Sequence, residues 1–394
     1  MLLPFAVGDV LRGGDFGELD IVATTAGVLL SLLGWLPRRA VRIALAGYLA
    51  GAVAYGCLLG GELLLRALAG PQRSRDWRAG LVGVFRAAEP HSYELVPGWR
   101  GSFDDGVVRC EIAIDERGNR DEPGPAACER RVLLFGDSFA FGLALAAAHR
   151  IDARIEERSA GRFDVVNLGV PGYGPWDAVE RFDRCGLRGD DVVYMLFTND
   201  LRSDNAGPGQ HTAVAGAIAT RTDEHGRLRT WSAAEAAAMV AQLRAWSPSL
   251  LETTKATLRL EQVRARIASL VDPESLRLEG RKALYRPEGI DSVVAAVSAF
   301  AAKARSAGMG FTVVATPTVG EVHLRGHCAP MVECTLRLRA AGITVHELLP
   351  ELVTGDYLVH DGHFTPDGAD KVAGAMLRWL DARAGGSAVA PGGR

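Results

Sequence analysis

The stretch that decides the fold is Val132-Leu133-Leu134-Phe135-Gly136-Asp137-Ser138-Phe139. Four consecutive apolar residues, too few for a helix, end in a glycine and then a polar pair. A short, continuously apolar run of this kind reads as a strand buried on both faces. Ser138 follows the strand directly and opens a helix. In an open α/β sheet that position lies at the carboxyl edge, where ligands bind, and its backbone N–H lies at a helix N-terminus, which favours anions. Gly-Asp-Ser alone is weak ground, because Asp-Ser at a helix start also reads as a plain cap.

Four further runs share this texture: Val165–Asn167, Val192–Phe197, Phe311–Ala315 and Thr344–Glu347. Amphipathic helical stretches separate them, which predicts a parallel sheet covered on both faces. The expected architecture is therefore an α/β three-layer αβα sandwich on a mostly parallel five-stranded sheet. Trp231 to Ala268 reads as a helical insertion broken at Ser247-Pro248. Ser292 to Ala307 reads as a helix ended by Gly308, and Pro366 to Ala384 as the last helix, with Thr365 as its N-cap.

Three more motifs stand at strand ends or helix starts. Asn167-Leu168-Gly169-Val170-Pro171-Gly172-Tyr173-Gly174 carries glycines that let backbone N–H groups face a ligand, or that simply close a tight turn. Phe197-Thr198-Asn199-Asp200 offers a side-chain amide for a developing oxyanion, or a cap. Asp361-Gly362-His363-Phe364-Thr365-Pro366-Asp367-Gly368 places an aspartate two residues before a histidine, suited to an orienting acid and a general base. A lone histidine is more often structural. Four such motifs in this order are hard to obtain by chance.

Gly-Asp-Ser, the glycine of the Asn-x-Gly-x-x-Gly run, Asn-Asp and Asp-x-His together resemble the SGNH/GDSL hydrolase superfamily, from Arg131 to the final helix. The resemblance implies an SGNH/flavodoxin-like sheet and Ser138 as nucleophile. It also implies His363 as base, Asp361 as third triad member, and Gly172 and Asn199, with the Ser138 N–H, as the oxyanion hole. Glu62 to Arg66, Tyr93-Glu94-Leu95-Val96-Pro97-Gly98 and Asp115-Glu116-Arg117-Gly118-Asn119-Arg120-Asp121 are similar to the lead-in of membrane-tethered bacterial members. The chain departs from the pattern at Phe139, where the family name has leucine, and at Phe197, where many members have glycine. Its Asp-x-His followed by aromatic-Thr-Pro is also similar to the SGNH-like domains of polysaccharide O-acetyltransferases.

The first third of the chain reads as a membrane anchor. Ile21 to Pro37 and Ile43 to Gly61 carry no charge, and Arg38, Arg39 and Arg42 stand between them. This predicts an N-terminal transmembrane helical hairpin with the arginines in the cytoplasm and everything after Ala69 outside it, at a bacterial inner membrane. Arg66, Arg73, Arg75 and Arg78 argue the other way. The expected division is an anchor over 1–69, a connecting segment with short strands over 70–130, a catalytic domain over 131–385 and a disordered tail over 386–394.

A net charge of -3 over 394 residues gives no reason to expect nucleic-acid binding. Of the six cysteines, Cys328 with Cys334 and Cys110 with Cys128 could bridge in an oxidising compartment, or all could be scattered thiols. No cysteine or histidine spacing suggests a metal, and the expected chemistry needs no cofactor. Tyr173 and Trp176 could stack on a sugar or merely pack, His323 and His327 could line the cleft or merely face solvent, and His360 beside the Asp-x-His motif has no assigned role. The expected function is a membrane-anchored serine esterase acting on an envelope carbohydrate or lipid ester through an acyl-serine. A polysaccharide O-acetyltransferase and a non-catalytic glycan-binding protein are its rivals.

Overall fold

The computed structural model describes residues 37–69, 80–88, 92–203, 220–222, 228–245, 271–278 and 281–387, except 106, 126, 359 and 360, with isolated positions between 254 and 263. It divides into two compact units: Met1–Pro71 with Ser249–Ala265, and Gln72–Pro248 with Arg266–Arg394.

In the first unit, α1 (Arg38–Ala69) is a 32-residue helix. Its segment Arg38–Ala67 is long and apolar enough to cross a membrane, and Ile43, Tyr48, Val53, Leu63 and Leu64 are exposed along it. Among the described residues this is one helix, not the expected hairpin. The arginines expected to mark a turn between two spans instead occupy its first turns, because nothing in Arg38 to Arg42 breaks a helix once Pro37 has started it. The other expected span, from Ile21, lies outside the described residues up to Pro37. Glu62, midway among apolar residues, is buried. It pairs with Arg66 at 2.7 Å and accepts the Val263 N–H at 2.9 Å. Tyr55 donates its hydroxyl to the Leu258 carbonyl at 2.7 Å.

The second unit begins with two hairpins, β1 (Phe85–Ala88) with β2 (Ser92–Leu95) and β3 (Arg100–Asp104) with β4 (Arg109–Ala113). There follow β5 (Arg130–Phe135), α2 (Ser138–Phe141), α3 (Ile151–Arg158), β6 (Phe163–Asn167), α4 (Pro175–Cys185) and β7 (Asp191–Phe197). A small hairpin, β8 (Thr220–Thr222) with β9 (Leu228–Thr230), leads to α5 (Ala233–Ala245) and α6 (Pro273–Arg277). The chain closes with α7 (Pro287–Ser306), β10 (Gly310–Thr316), α8 (Val319–His323), α9 (Ala329–Ala340), β11 (Thr344–Glu347) and α10 (Pro366–Ser387). The helix expected from Ser292 starts five residues earlier, where Pro287 takes a first-turn position. The last helix continues through Gly385 and Gly386, and the tail beyond Ser387 lies outside the described residues.

The five expected strands form one sheet in the order β11-β10-β7-β5-β6, every pair parallel. Alternate residues of each strand feed opposite faces. Leu133, Phe135, Val192, Tyr194, Phe311 and Val313 meet Phe182 of α4, Phe300 of α7 and Leu338 of α9. Val132, Leu134, Val193, Met195 and Val314 meet Ile155 of α3 and Val372 and Met376 of α10. These are the three layers predicted from continuously apolar strands. A third core joins Leu81, Phe85, Tyr93, Leu95, Phe103 and Ile112 of the lead-in to Phe141, Val170 and Tyr173.

The chain leaves β5 for β6 on one side and returns to β7 on the other. The order therefore reverses beside β5, and the carboxyl ends of β5 and β7 flank the crevice that such a switch creates. All six cysteines are free thiols. Cys328 caps α9 and Cys334 lies in its middle, both packed into the core, and of the two readings left open it is the scattered thiols that the structure holds.

Candidate active site

Four segments, those that follow β5, β6, β7 and β11, converge on the crevice. After β5, Asp137 caps α2, its Oδ1 accepting the Phe139 N–H at 2.9 Å, and Ser138 is the first helical residue. Asp-Ser is thus a cap, as one sequence reading had it, and Ser138 is also where the other reading needs a nucleophile. After β11 the chain returns through Tyr357, whose hydroxyl donates to the Pro317 carbonyl at 2.8 Å. A closed loop follows: Gly362 N–H donates to Leu358 O at 2.8 Å, and Leu358 N–H to His363 O at 2.7 Å. This loop carries His363 to Ser138, 225 residues away in sequence. The His363 Nε2 lies 2.7 Å from the Ser138 Oγ.

Asp361 holds the other side of the imidazole. Its Oδ2 is 3.2 Å from His363 Nδ1, and its Oδ1 accepts the His363 backbone N–H at 2.9 Å. One carboxylate thus fixes both ring and backbone. That double grip explains how an aspartate only two residues upstream can orient the ring. With Nδ1–H donated to Asp361, Nε2 is the acceptor for the serine hydroxyl.

After β6, Val170-Pro171-Gly172-Tyr173 is closed by Tyr173 N–H to Val170 O at 3.0 Å, with Gly172 at φ 84°. This is a type II turn, whose third position demands a positive φ and whose N–H there is not used by the turn. Gly169 lies so close to α2 that a Cβ on it would stand 2.4 Å from the Phe141 nitrogen. Asn167, fully buried, donates Nδ2 to Ala140 O at 2.8 Å and to Asp152 Oδ1 at 2.9 Å, and accepts the Gly169 N–H at 3.0 Å. It fastens the glycine loop to the helix that carries Ser138.

After β7, Asn199 stands on a short 3-10 turn, Thr198–Leu201. Its Nδ2 donates to Asp137 Oδ2 at 3.0 Å, which engages one of its two amide hydrogens. Asp137 was read only as part of a motif. It links the end of β5 to the end of β7. Burial pushes its carboxyl above the usual range, against the pull of the Phe139 and Asn199 hydrogen bonds. Asp200 is raised well above the usual range by burial and then by the Asp137 charge. It accepts from the Tyr194 hydroxyl at 3.1 Å and the Phe197 N–H at 3.0 Å.

The two departures from the family pattern meet one another. Phe139 and Phe197 lie with ring centroids 4.3 Å apart, and Phe139 also lies 4.9 Å from the His363 ring and 4.8 Å from Phe364. The two rings share one space, and Phe139 packs against the imidazole.

Other candidates fall outside the site. Tyr173 is buried and donates its hydroxyl to the Tyr93 carbonyl, and Trp176 donates Nε1 to Ser292 Oγ at 2.9 Å. His327 is held against buried Glu321, Nδ1 to Oε1 at 3.2 Å, and His323 is exposed at the end of α8. His360 lies outside the described residues. Sequence reading missed Tyr93 and Arg120 of the lead-in. Their only signal was the similarity of that segment to tethered family members.

The fold and site define an α/β protein with a Ser–His–Asp arrangement at the switch point of its sheet. Structural neighbours are esterases, GDSL-type members among them, that cover about 64% of the chain. A carbohydrate acetylesterase from Sinorhizobium meliloti is 13% identical, covering 64% of this chain and 99% of its own, with a TM-score of 0.34. A GDSL-like lipase from Bacteroides thetaiotaomicron is 12% identical, covering 66% and 93%, at 0.33. An aryl esterase from M. smegmatis in inhibitor-bound form is 14% identical, covering 64% and 99%, at 0.34. At such TM-scores the likeness carries no weight beyond itself, and the fold rests on the strand order. No family model and no curated protein matches the chain.

Proposed function

We propose that the protein is a serine esterase of the SGNH/GDSL type that cleaves an ester of an envelope carbohydrate or lipid. The observation that carries the reading is the 2.7 Å approach of His363 Nε2 to Ser138 Oγ, with Asp361 on the far side of the ring. Ser138 Oγ attacks the ester carbonyl while His363 takes its proton. The tetrahedral oxyanion is held by the N–H groups of Ser138 and Gly172 and by the second amide hydrogen of Asn199. The C–O bond to the alcohol breaks, His363 returns the proton to the departing alkoxide, and an acyl-serine remains. Water then repeats the sequence and releases the acid.

Helix α1 is read as the membrane anchor. Arg38, Arg39 and Arg42 at its start favour a cytoplasmic N-terminal end, which directs the following chain to the outer side. A polysaccharide O-acetyltransferase is the second reading, favoured by the Asp361-x-His363-Phe364-Thr365-Pro366 sequence. In that case the acyl-serine passes its acyl group to a sugar hydroxyl instead of water.

The test is p-nitrophenyl acetate turnover by the full chain in detergent micelles beside Ser138→Ala and His363→Ala. Turnover by the parent and its loss in both variants supports the esterase reading. Partition of the acyl group to added glycan moves the reading to the transferase. A folded parent that is inert with and without glycan overturns both.

A further inference from the structure

The proposed reaction leaves unexplained a fully buried guanidinium. Arg120, in the lead-in after β4, donates Nη1 to Phe141 O at 3.1 Å and to Gly142 O at 2.5 Å, and Nη2 to Leu145 O at 2.6 Å. These carbonyls belong to the C-terminal end of α2 and the loop beyond it. A helix of four residues leaves its carbonyls without intrahelical partners. The guanidinium supplies those partners, and it also lies 4.5 Å over the Phe141 ring. Burying a charge is expensive. A segment that only covered apolar surface would carry a leucine or methionine there.

The same lead-in holds the other half of the site. Tyr93 of β2 donates its hydroxyl to Pro171 O at 2.7 Å, and its own carbonyl accepts the Tyr173 hydroxyl. Tyr93 therefore grips both flanks of Gly172. Arg181 on α4, the helix that follows this turn, donates Nη2 to Gly118 O at 2.9 Å and Asn119 Oδ1 at 2.8 Å. Arg120 thus grips the helix that presents Ser138, and Tyr93 the turn that presents the Gly172 N–H.

We infer that Arg120 and Tyr93 are positioning residues for the proposed reaction, so that the lead-in between anchor and α/β sheet is part of the active-site machinery and not a spacer. The inference rests on the esterase reading. Neither side chain touches the reacting atoms. Each sets the position of a group that does, and a displacement of ~1 Å in such a group can lower turnover by about 100-fold.

The experiment uses the full chain in detergent micelles, with active sites titrated by a fluorophosphonate that reacts at Ser138. For Tyr93→Phe and Arg120→Lys we expect kcat per titrated site to fall by roughly 10- to 100-fold with KM little changed. In Arg120→Ala, added guanidinium ion at non-denaturing concentration restores turnover and methylammonium does not. A residue that served packing alone would lower the melting temperature or the titrated fraction and leave kcat per titrated site untouched. Parental kcat per site in both conservative variants overturns the inference. Should Arg120→Ala fail to fold, Tyr93→Phe, which deletes one hydroxyl, carries the decision. A parent that neither reacts with the fluorophosphonate nor turns over esters overturns the esterase reading and this inference with it. That outcome differs visibly from an active parent with unaffected variants.

Discussion

Asp137 Oδ2 accepts the side-chain amide of Asn199 at 3.0 Å, while its Oδ1 accepts the Phe139 N–H. One buried carboxylate thereby sets both the helix that starts at Ser138 and the proposed oxyanion amide. Asn199→Ala should lower kcat by about 100- to 1,000-fold with little change in KM. Asp137→Asn retains an acceptor for the cap but turns an N–H₂ toward the Asn199 amide. It should lose nearly as much. Steady-state kinetics of the two variants and their double mutant would show the coupling as strong non-additivity.

Asp361→Asn should lower kcat by about 1,000- to 10,000-fold and leave the fold intact. The carboxamide can no longer accept both the Nδ1–H and the backbone N–H of His363, and it favours the tautomer with the proton on Nε2. Pre-steady-state release of p-nitrophenol separates this loss of acylation from a loss of binding.

Phe139→Leu opens a space beside Phe197 and against His363. We expect destabilisation of about 1–3 kcal/mol and a several-fold fall in kcat. In a double-mutant cycle with Phe197→Leu the pair should show about 0.5–1.5 kcal/mol of coupling. Additive effects in chemical denaturation would mean that the two departures are independent.

Burial raises the Asp121 carboxyl to about 8 and that of Glu156 to about 7. In the unfolded chain both groups would ionise near pH 4. Their contribution to stability is therefore fully present below about pH 4, falls as pH rises toward 7 and 8, and is flat above that. The melting temperature should be higher near pH 5.5 than near pH 8.5, and Asp121→Asn should flatten that slope. Glu156, with the smaller rise, should matter less.

The thiols should divide by burial. Burial pushes Cys334 up to about 12 and Cys328 higher still. Mass spectrometry after brief alkylation of the native chain should find Cys128 modified and Cys328 and Cys334 untouched, with no disulfide before or after.

Much of this molecule could be read before any coordinates. Four largely apolar runs read as strands, because runs that short hide their backbone polar groups in a ladder, and the fifth, Thr344–Glu347, is a half-buried edge strand with a single apolar residue. Their alternation with helices forced a parallel sheet. Ser138, Gly172, Asn199 and His363 announced themselves because each stands where a strand or loop delivers a residue to the sheet's carboxyl edge. The lower end of the last helix was misjudged at Gly385-Gly386, since propensity is a weak prior where a helix is already propagating. The hairpin expectation put a turn at Arg38 to Arg42, but these residues lie within α1, because charged side chains on a helix surface do not break it.

By itself the sequence determined the layered α/β core and the identity of the residues that could do acyl chemistry, because periodicity and local turn chemistry act over a few residues. Only the tertiary structure decided that His363 meets Ser138, that Asp137 holds Asn199, and that Arg120 and Tyr93 grip the two halves of the site. Each of those contacts joins segments tens to hundreds of residues apart. Their geometry follows from strand order and packing, which no local pattern encodes.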